Sequence, residues 1–167
     1  MRALTVGVLA FLSALLMACT AIPSSGPVNS TDRTTGIDTS NVDFLPPGPS
    51  TGATPEEIIA GFIAAGTAAQ DNYRVARSYL AEEVEEDWNP NASVLIRRGE
   101  PLISVVSNTV ARYVAPVIAS VDGLGRFSAS PSVSSQTLDF RLVREDEEWR
   151  ISGLADGIVL TEAAFAE

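Results

Sequence analysis

Cys19 is the chain's only cysteine, and it stands where an apolar run ends. Arg2 and the uncharged segment 3–18 precede it, and Ser, Pro and Gly follow it at once. A positive start, a short apolar run and a small residue at the cut predict a secretory signal over 1–18. The apolar segment has 16 residues, whereas a membrane-spanning helix needs roughly 20. Cleavage before Cys19 is therefore favoured over a permanent span.

The residues before Cys19 resemble the lipobox of bacterial lipoproteins, with Leu16 at −3 and Ala18 at −1. The resemblance implies that the Cys19 thiol takes a diacylglycerol and becomes the lipidated amino terminus on the extracytoplasmic face of the membrane. Two acyl chains give stable anchoring, whereas one gives only marginal attachment. An ordinary buried cysteine is disfavoured, because the polar run after Cys19 offers no core.

The chain contains no histidine. This excludes Ser-His-Asp and Cys-His catalysis and His-containing zinc sites. A cavity could still pair a tyrosine with a carboxylate base, as in ketosteroid isomerases. The candidates for such a pair are Tyr73, Tyr79, Tyr113, Asp122 and Asp139. Nothing in their spacing pairs them, so we favour tyrosines at the edge of the core and solvated aspartates, and expect no enzyme and no cofactor.

The formal charge of −10 limits the classes of partner that the chain can bind. All eleven basic residues are arginine. An acidic surface with no basic cluster argues against nucleic acid and against electrostatic docking on anionic lipid. Membrane contact is therefore expected from the diacylglycerol on Cys19 alone.

Composition divides the chain into three parts. The segment 1–18 is the signal, and 19–53 is the lipidated cysteine followed by a linker rich in Ser, Thr, Gly and Pro. The linker has too few apolar residues to offset the entropy of ordering it, so it is predicted to be disordered. The folded domain is expected over 54–167.

Two helical stretches open the predicted domain. Thr54 and Glu57 form a capping box, and apolar residues at helical spacing continue to Ala69. Gly61 lies inside this helix, which suggests that another element packs closely against that side. A second apolar stripe runs from Tyr73 to Val84.

Acidic residues crowd the end of the second stripe, over 82–87. Such a run is unfavourable near a helix C-terminus, so a separate short turn ending near Trp88 is one interpretation. A solvated acidic face is favoured over a calcium site, because the spacing of an EF-hand loop is absent.

From Ser93 on, the pattern has a period of two and predicts strands. They are Ser93–Arg98, Leu102–Val110, Arg112–Val121, Arg126–Ser130, Gln136–Arg144 and Glu148–Ser152. Pro116 suggests a bulge or an edge position, and Pro131 is expected to break the fourth strand. Two helices packed on a curved antiparallel sheet form an α+β domain, which looks like the cone-shaped NTF2-like fold.

Four strings in this order resemble the N-terminal region of the actinobacterial LpqB lipoprotein family. They are ACTAIPSSGP, TPEEIIAGFIAA, ARSYLAEEVEEDWNP and EEWRISGLADGIVL. The resemblance implies an extracytoplasmic partner of the sensor histidine kinase MtrB, in the MtrA–MtrB two-component system. It offers no catalytic residues to carry over.

In that family a GerMN domain and a β-propeller follow, whereas this sequence stops at Glu167. A shortened gene, a fragment of a longer chain and a stand-alone relative all stay open as interpretations.

The sequence thus favours a non-enzymatic, lipid-anchored interaction domain over a small-ligand-binding or enzymatic NTF2-like domain, or a purely structural envelope lipoprotein. A binding module predicts a filled cone with an exposed apolar patch. A receptor or enzyme predicts a closed apolar pocket that holds a carboxylate with a raised pKa.

Overall fold

The computed structural model describes residues 45–166. The helices are α1 (Pro55–Ala65), α2 (Gln70–Arg77), α3 (Glu82–Glu85) and α4 (Glu162–Phe165). The strands are β1 (Ser93–Arg97), β2 (Leu102–Ser107), β3 (Val110–Asp122), β4 (Phe127–Glu145), β5 (Glu148–Gly153) and β6 (Ile158–Thr161). The predicted α+β class, with helices ahead of a curved sheet, is confirmed.

The six strands form one sheet in the order β5-β4-β3-β1-β6, and β2 pairs with the first half of β3. The outermost strands β5 and β6 are joined by 154–157 alone. Each residue of an extended chain spans at most about 3.6 Å, so the sheet must curl strongly to bring its two ends this close. The result is a half-barrel, which is compatible with a cone.

One strand pairing corrects the sequence prediction. We expected an antiparallel sheet, but β6 runs parallel to β1, with Leu95 opposite Val159 and Arg97 opposite Thr161. The other pairings among the described strands are antiparallel. The sheet is therefore mixed. Because the sheet curls, β6 reaches the free edge of β1, and it runs there in the same direction as β1.

Helix α1 begins as the sequence predicted. The Glu57 backbone N–H donates to Thr54 Oγ1 at 3.3 Å, and the Thr54 N–H donates to Glu57 Oε2 at 2.8 Å. Its buried face consists of Ile58, Ile59, Phe62 and Ala65. The helix ends before Gly66 and not at Ala69, since glycine favours the end of a helix over its interior.

The second stripe is not one helix to Val84. Helix α2 stops at Arg77, and the separate α3 carries the first acidic residues. Between them the chain pairs with β5: the Ala81 N–H donates to the Ile151 carbonyl at 2.8 Å, and the Ile151 N–H donates to the Tyr79 carbonyl at 2.9 Å. These hydrogen bonds with β5 replace helical ones, so the interpretation of a separate short turn is confirmed.

The core lies between α1 and the concave face of the sheet. Phe62 contacts Trp88 and Phe140 edge-on, with ring centroids 5.1 and 6.0 Å apart. Tyr113 on β3 is buried in the same core. Each edge-to-face aromatic pair stabilises the fold by about 0.5–1.5 kcal/mol beyond the contribution of the apolar area that it buries.

The strands differ from the prediction in several details. The β2–β3 turn lies at 108–109, so β2 ends at Ser107 and the predicted strand to Val110 was too long. Strand β4 continues through Pro131, because its residues 130–133 have no register partner on β3 and so need no proline N–H. The bulge predicted near Pro116 is found at Ile118, since Ile96 faces Ala119 while Arg97 faces Val117.

The segment just before α1 contacts the domain. The Tyr79 hydroxyl donates to the Pro47 carbonyl at 2.9 Å, and the Gly52 N–H donates to Glu148 Oε2 at 2.9 Å. These residues fall within the predicted linker 19–53, whose earlier part up to residue 44 lies outside the described residues.

Candidate functional site

Strand β2 carries three exposed apolar side chains distributed over both faces of its free edge, which we call the β2 edge surface: Leu102, Val105 and Val106. All three side chains are exposed, and Leu102 retains 65% of its accessible area. One edge of β2 pairs with β3, and no described strand pairs with its other edge. An unpaired edge with exposed apolar side chains is suited to binding another chain.

The sequence of β2 accounts for this exposure. Ile103 lies opposite Tyr113 and packs against the core, so its neighbour Leu102, opposite Val114, points to the other face. A register shift between Val105 and Ser107 leaves Val106 without a partner on β3. The β-branched residues of β2 favour a strand, but much of their apolar area remains exposed to solvent.

A second exposed apolar feature joins the start of β4 to α4. The rings of Phe127 and Phe165 stack with centroids 6.0 Å apart, and both rings remain exposed. Arg98 pairs with Glu162, the first residue of α4, through two hydrogen bonds, one of them at 2.6 Å. This pair lowers the pKa of the Glu162 carboxyl.

The aspartates considered as possible bases are solvated partners of arginines, which is the arrangement that the sequence favoured. Asp122 accepts from the Arg126 N–H at 3.0 Å, and these bonds lower its pKa. Asp139 accepts from Arg112 Nε at 2.7 Å across the β3–β4 pair, and this bond lowers its pKa too. A general base working near neutral pH needs a raised carboxyl pKa, so both shifts go the opposite way.

Within residues 45–166 no hydrogen bond joins the three tyrosines to these aspartates: Tyr79 donates to the Pro47 carbonyl, and the Tyr113 hydroxyl has no partner. Tyr73 packs against Trp88, with ring centroids 6.0 Å apart. Tyr113 faces the core, whereas Arg112 next to it pairs with Asp139 on the outer face. The structure thus does not assemble the tyrosine–carboxylate pair considered for the enzymatic alternative.

Two cavities lie between α1 and the sheet. The smaller, about 120 Å³, is lined by apolar side chains that include Phe62 and Leu95, with Asp156 at its rim. The larger, about 340 Å³, is lined by Arg97, Glu100 and Tyr113 as well as apolar residues of α1. The cone is therefore incompletely filled, which departs from the filled cone expected of a binding module.

Among the residues that line the larger cavity, Tyr113 was a candidate from the sequence, whereas Arg97 and Glu100 were not. Burial raises the pKa of the Tyr113 hydroxyl, while the charge of Arg97 lowers it and that of Glu100 raises it. Val94, Leu95 and Ile96 are consecutive apolar residues of β1, so the sequence does not say which face of β1 is inside. That ambiguity hid the inward position of Arg97.

The acidic run 82–87 is exposed apart from Val84, which is half-buried, as expected for a solvated face. Within residues 45–166 no group of three or more metal-ligating side chains is arranged to hold an ion. The helices of that part are all too short or too polar to cross a bilayer. Cys19 and the signal 1–18 lie outside the described residues.

Comparison with known proteins gives consistent matches. A family model described as the N-terminal domain of lipoprotein LpqB matches residues 48–166. Lipoprotein LpqB of Cutibacterium acnes is 34% identical over 160 residues, covering 95% of this chain and 27% of the relative. The Bifidobacterium longum protein is 30% identical over 168 residues, covering 91% and 29%. The Mycobacterium tuberculosis protein is 25% identical over 174 residues, covering 99% and 28%.

The chain spans less than a third of the length of these relatives. No solved structure matches it. The likeness therefore concerns one region of longer lipoproteins.

Proposed function

The chain belongs to the family of LpqB N-terminal domains, and on this premise we propose that it is a lipid-anchored, extracytoplasmic interaction domain. It acts by contact with a protein partner in the cell envelope and not by turning over a substrate. The partner proposed from the resemblance is the sensor kinase MtrB, whose signalling the domain modulates.

The anchor is proposed at Cys19. Leu16 and Ala18 stand at the positions of a lipobox, and the curated relatives are named lipoproteins. A diacylglycerol supplies two acyl chains, which suffice for stable attachment without basic residues. The acidic charge of the chain fits an anchor that does not depend on attraction to anionic lipid.

The single observation that carries the interaction role is the β2 edge surface. Its exposed side chains lie on a strand with a free edge, where a partner strand can add to the sheet through backbone hydrogen bonds. The residues considered for catalysis supply no competing site, because Asp122 and Asp139 are paired with arginines on the surface.

Co-purification tests this proposal. The acylated chain, held in membranes of an actinobacterial host, should enrich the MtrB ectodomain over an unrelated lipoprotein. Leu102→Glu should reduce that enrichment at least about tenfold, because a charge in a buried apolar contact costs well over 1.4 kcal/mol.

Leu124→Glu is the matched control, since Leu124 is 79% exposed in the turn at the far end of β3. It should leave the enrichment unchanged. Equal loss in both variants, or no enrichment of the kinase ectodomain by the parent chain, would count against the proposal.

A further inference from the structure

The Tyr113 hydroxyl is buried without a hydrogen-bond partner in the described part of the chain. Tyr113 as a whole retains only 1% of its accessible area. A buried polar group left unpaired costs about 1–3 kcal/mol, so such groups in folded proteins nearly always have a partner. A partner beyond residues 45–166 is therefore to be expected at this hydroxyl.

The cavity of about 340 Å³ that Tyr113 lines has room for such a partner. It lies between α1, the β1–β2 connection and β6, and its volume is in the range of small-molecule sites. Its walls are mainly apolar, formed by Ala60, Ile63, Ala64, Ile103 and Val159. An occupant should therefore have an apolar body and one polar end.

Arg97 supplies a cation to the same cavity. It shares a face of β1 with Leu95, because side chains two residues apart on a strand point the same way, and Leu95 lines the neighbouring cavity. Arg97 is half-buried, and one of its N–H groups donates to the Gly99 carbonyl. The ion pairs found within residues 45–166 do not include Arg97.

We propose that this cavity binds a small monocarboxylate with an apolar body. The Arg97 guanidinium and the Tyr113 hydroxyl hold its carboxylate, and its apolar part lies against α1 and β2. Charge-assisted hydrogen bonds from arginine to carboxylate are among the strongest that proteins make. The exposed Glu100 carboxylate, which also lines the cavity, disfavours a second negative charge, so a monocarboxylate is favoured over a dicarboxylate. This site is independent of the proposed anchor and partner.

Fluorine NMR with para-fluorophenylbutanoate tests the site. The full chain in nanodiscs should broaden the probe signal saturably, with empty nanodiscs as the blank and a Kd on the order of 0.1–1 mM. The matching alcohol, para-fluorophenylbutanol, should bind at least about tenfold more weakly, because it cannot form the charged pair.

Two variants remove the polar contacts. Arg97→Met should weaken binding about tenfold or more and Tyr113→Phe about three- to tenfold. Arg98→Met is the matched control, because Arg98 is exposed, pairs with Glu162 and does not line the cavity. It should change the Kd by less than about twofold.

Three results would overturn the proposal: no saturable broadening by the parent chain, equal loss in Arg98→Met and Arg97→Met, or alcohol binding as tight as that of the acid. Circular dichroism melting of each variant verifies folding. Tyr113→Phe keeps the ring that fills the core, so it remains informative even if Arg97→Met is unstable.

Discussion

The ring of Tyr79 packs directly on the backbone of Gly61, so that a Cβ placed on Gly61 would lie 2.6 Å from two ring carbons. No real Cβ tolerates that contact, and the glycine is what allows the ring to lie so close. The same tyrosine donates its hydroxyl to Pro47. Tyr79, which lies in the strand-like segment before α3, thus contacts both α1 and the segment that precedes it.

Gly61→Ala is expected to destabilise the domain by about 1–3 kcal/mol, because the added methyl overpacks this contact. Alanine's helix propensity, worth about 1 kcal/mol over glycine, offsets only part of that loss. Urea denaturation measures the change. In a Tyr79→Ala background the same substitution should be neutral or stabilising, and an unchanged penalty there would show that the ring is not the cause.

Two tyrosine-to-phenylalanine changes should differ in size. Tyr79→Phe removes a hydrogen bond to Pro47 and should lower the free energy of unfolding by about 0.5–1.5 kcal/mol. Tyr113→Phe removes a hydroxyl that has no partner in the described chain, so it should cost less. Thermal melts of both variants make the comparison, which would be contradicted if Tyr113→Phe were the more damaging change.

Glu147→Gly is expected to stabilise the β4–β5 hairpin. Asp146 and Glu147 have φ values of 48° and 70°, as a two-residue type I′ turn requires. Glycine adopts such angles readily, whereas other residues lose about 1 kcal/mol or more. The melting temperature should therefore rise. Glu83→Gly, in the short helix α3, is the control and should lower it.

Stability should fall in acid. The pKa values of Asp122 and Asp139 are lowered from 3.8, first by hydrogen bonds from Arg126 and Arg112 respectively. A lowered folded-state pKa gives stability that is present above the unfolded pKa and is lost as pH falls through the folded pKa. Urea midpoints measured from pH 6 down to about pH 2 should decline most below 3.8.

The double variant Asp122→Asn/Asp139→Asn tests the source of that decline. It should flatten the acid limb, because both titrating groups are gone. An acid limb as steep as that of the parent chain would place the loss in other carboxyls, such as Glu162.

Local signals in the sequence predicted local structure well. The Thr54–Glu57 capping box predicted the start of α1. Gly61 predicted that another element packs closely against α1, and the structure shows that this neighbour is Tyr79. The charged turn at 144–148 also lies where predicted, between β4 and β5. For the capping box and the turn, the physical cause lies within a few residues of the signal, whereas the identity of the residue that packs on Gly61 was not predictable.

Long-range relationships were not predictable in the same way. The parallel pairing of β6 with β1 joins residues about 64 apart, and no local pattern encodes it. The break between α2 and α3 depends on hydrogen bonds to Ile151 in β5, which override the helical stripe. The inward position of Arg97 depends on which face of β1 meets α1, and each face carries at least one apolar residue.

The β2 edge surface illustrates the same limit. Its β-branched residues predict a strand, and the structure confirms that strand. Whether such a strand is central or at an edge depends on its neighbours. The free edge of β2 follows from β1 taking the other half of β3, which the sequence of β2 does not contain.

Acyl labelling in an actinobacterial host tests the central claim of a lipid-anchored domain most directly. Cells fed alkyne-tagged palmitate should yield a labelled membrane protein that lacks residues 1–18, and Cys19→Ala should abolish the label and leave unprocessed precursor. Thr20→Ala, one residue on, should be labelled as before. Unchanged labelling of Cys19→Ala, or an unlabelled parent chain found in the cytosol with residues 1–18 intact, would contradict the claim.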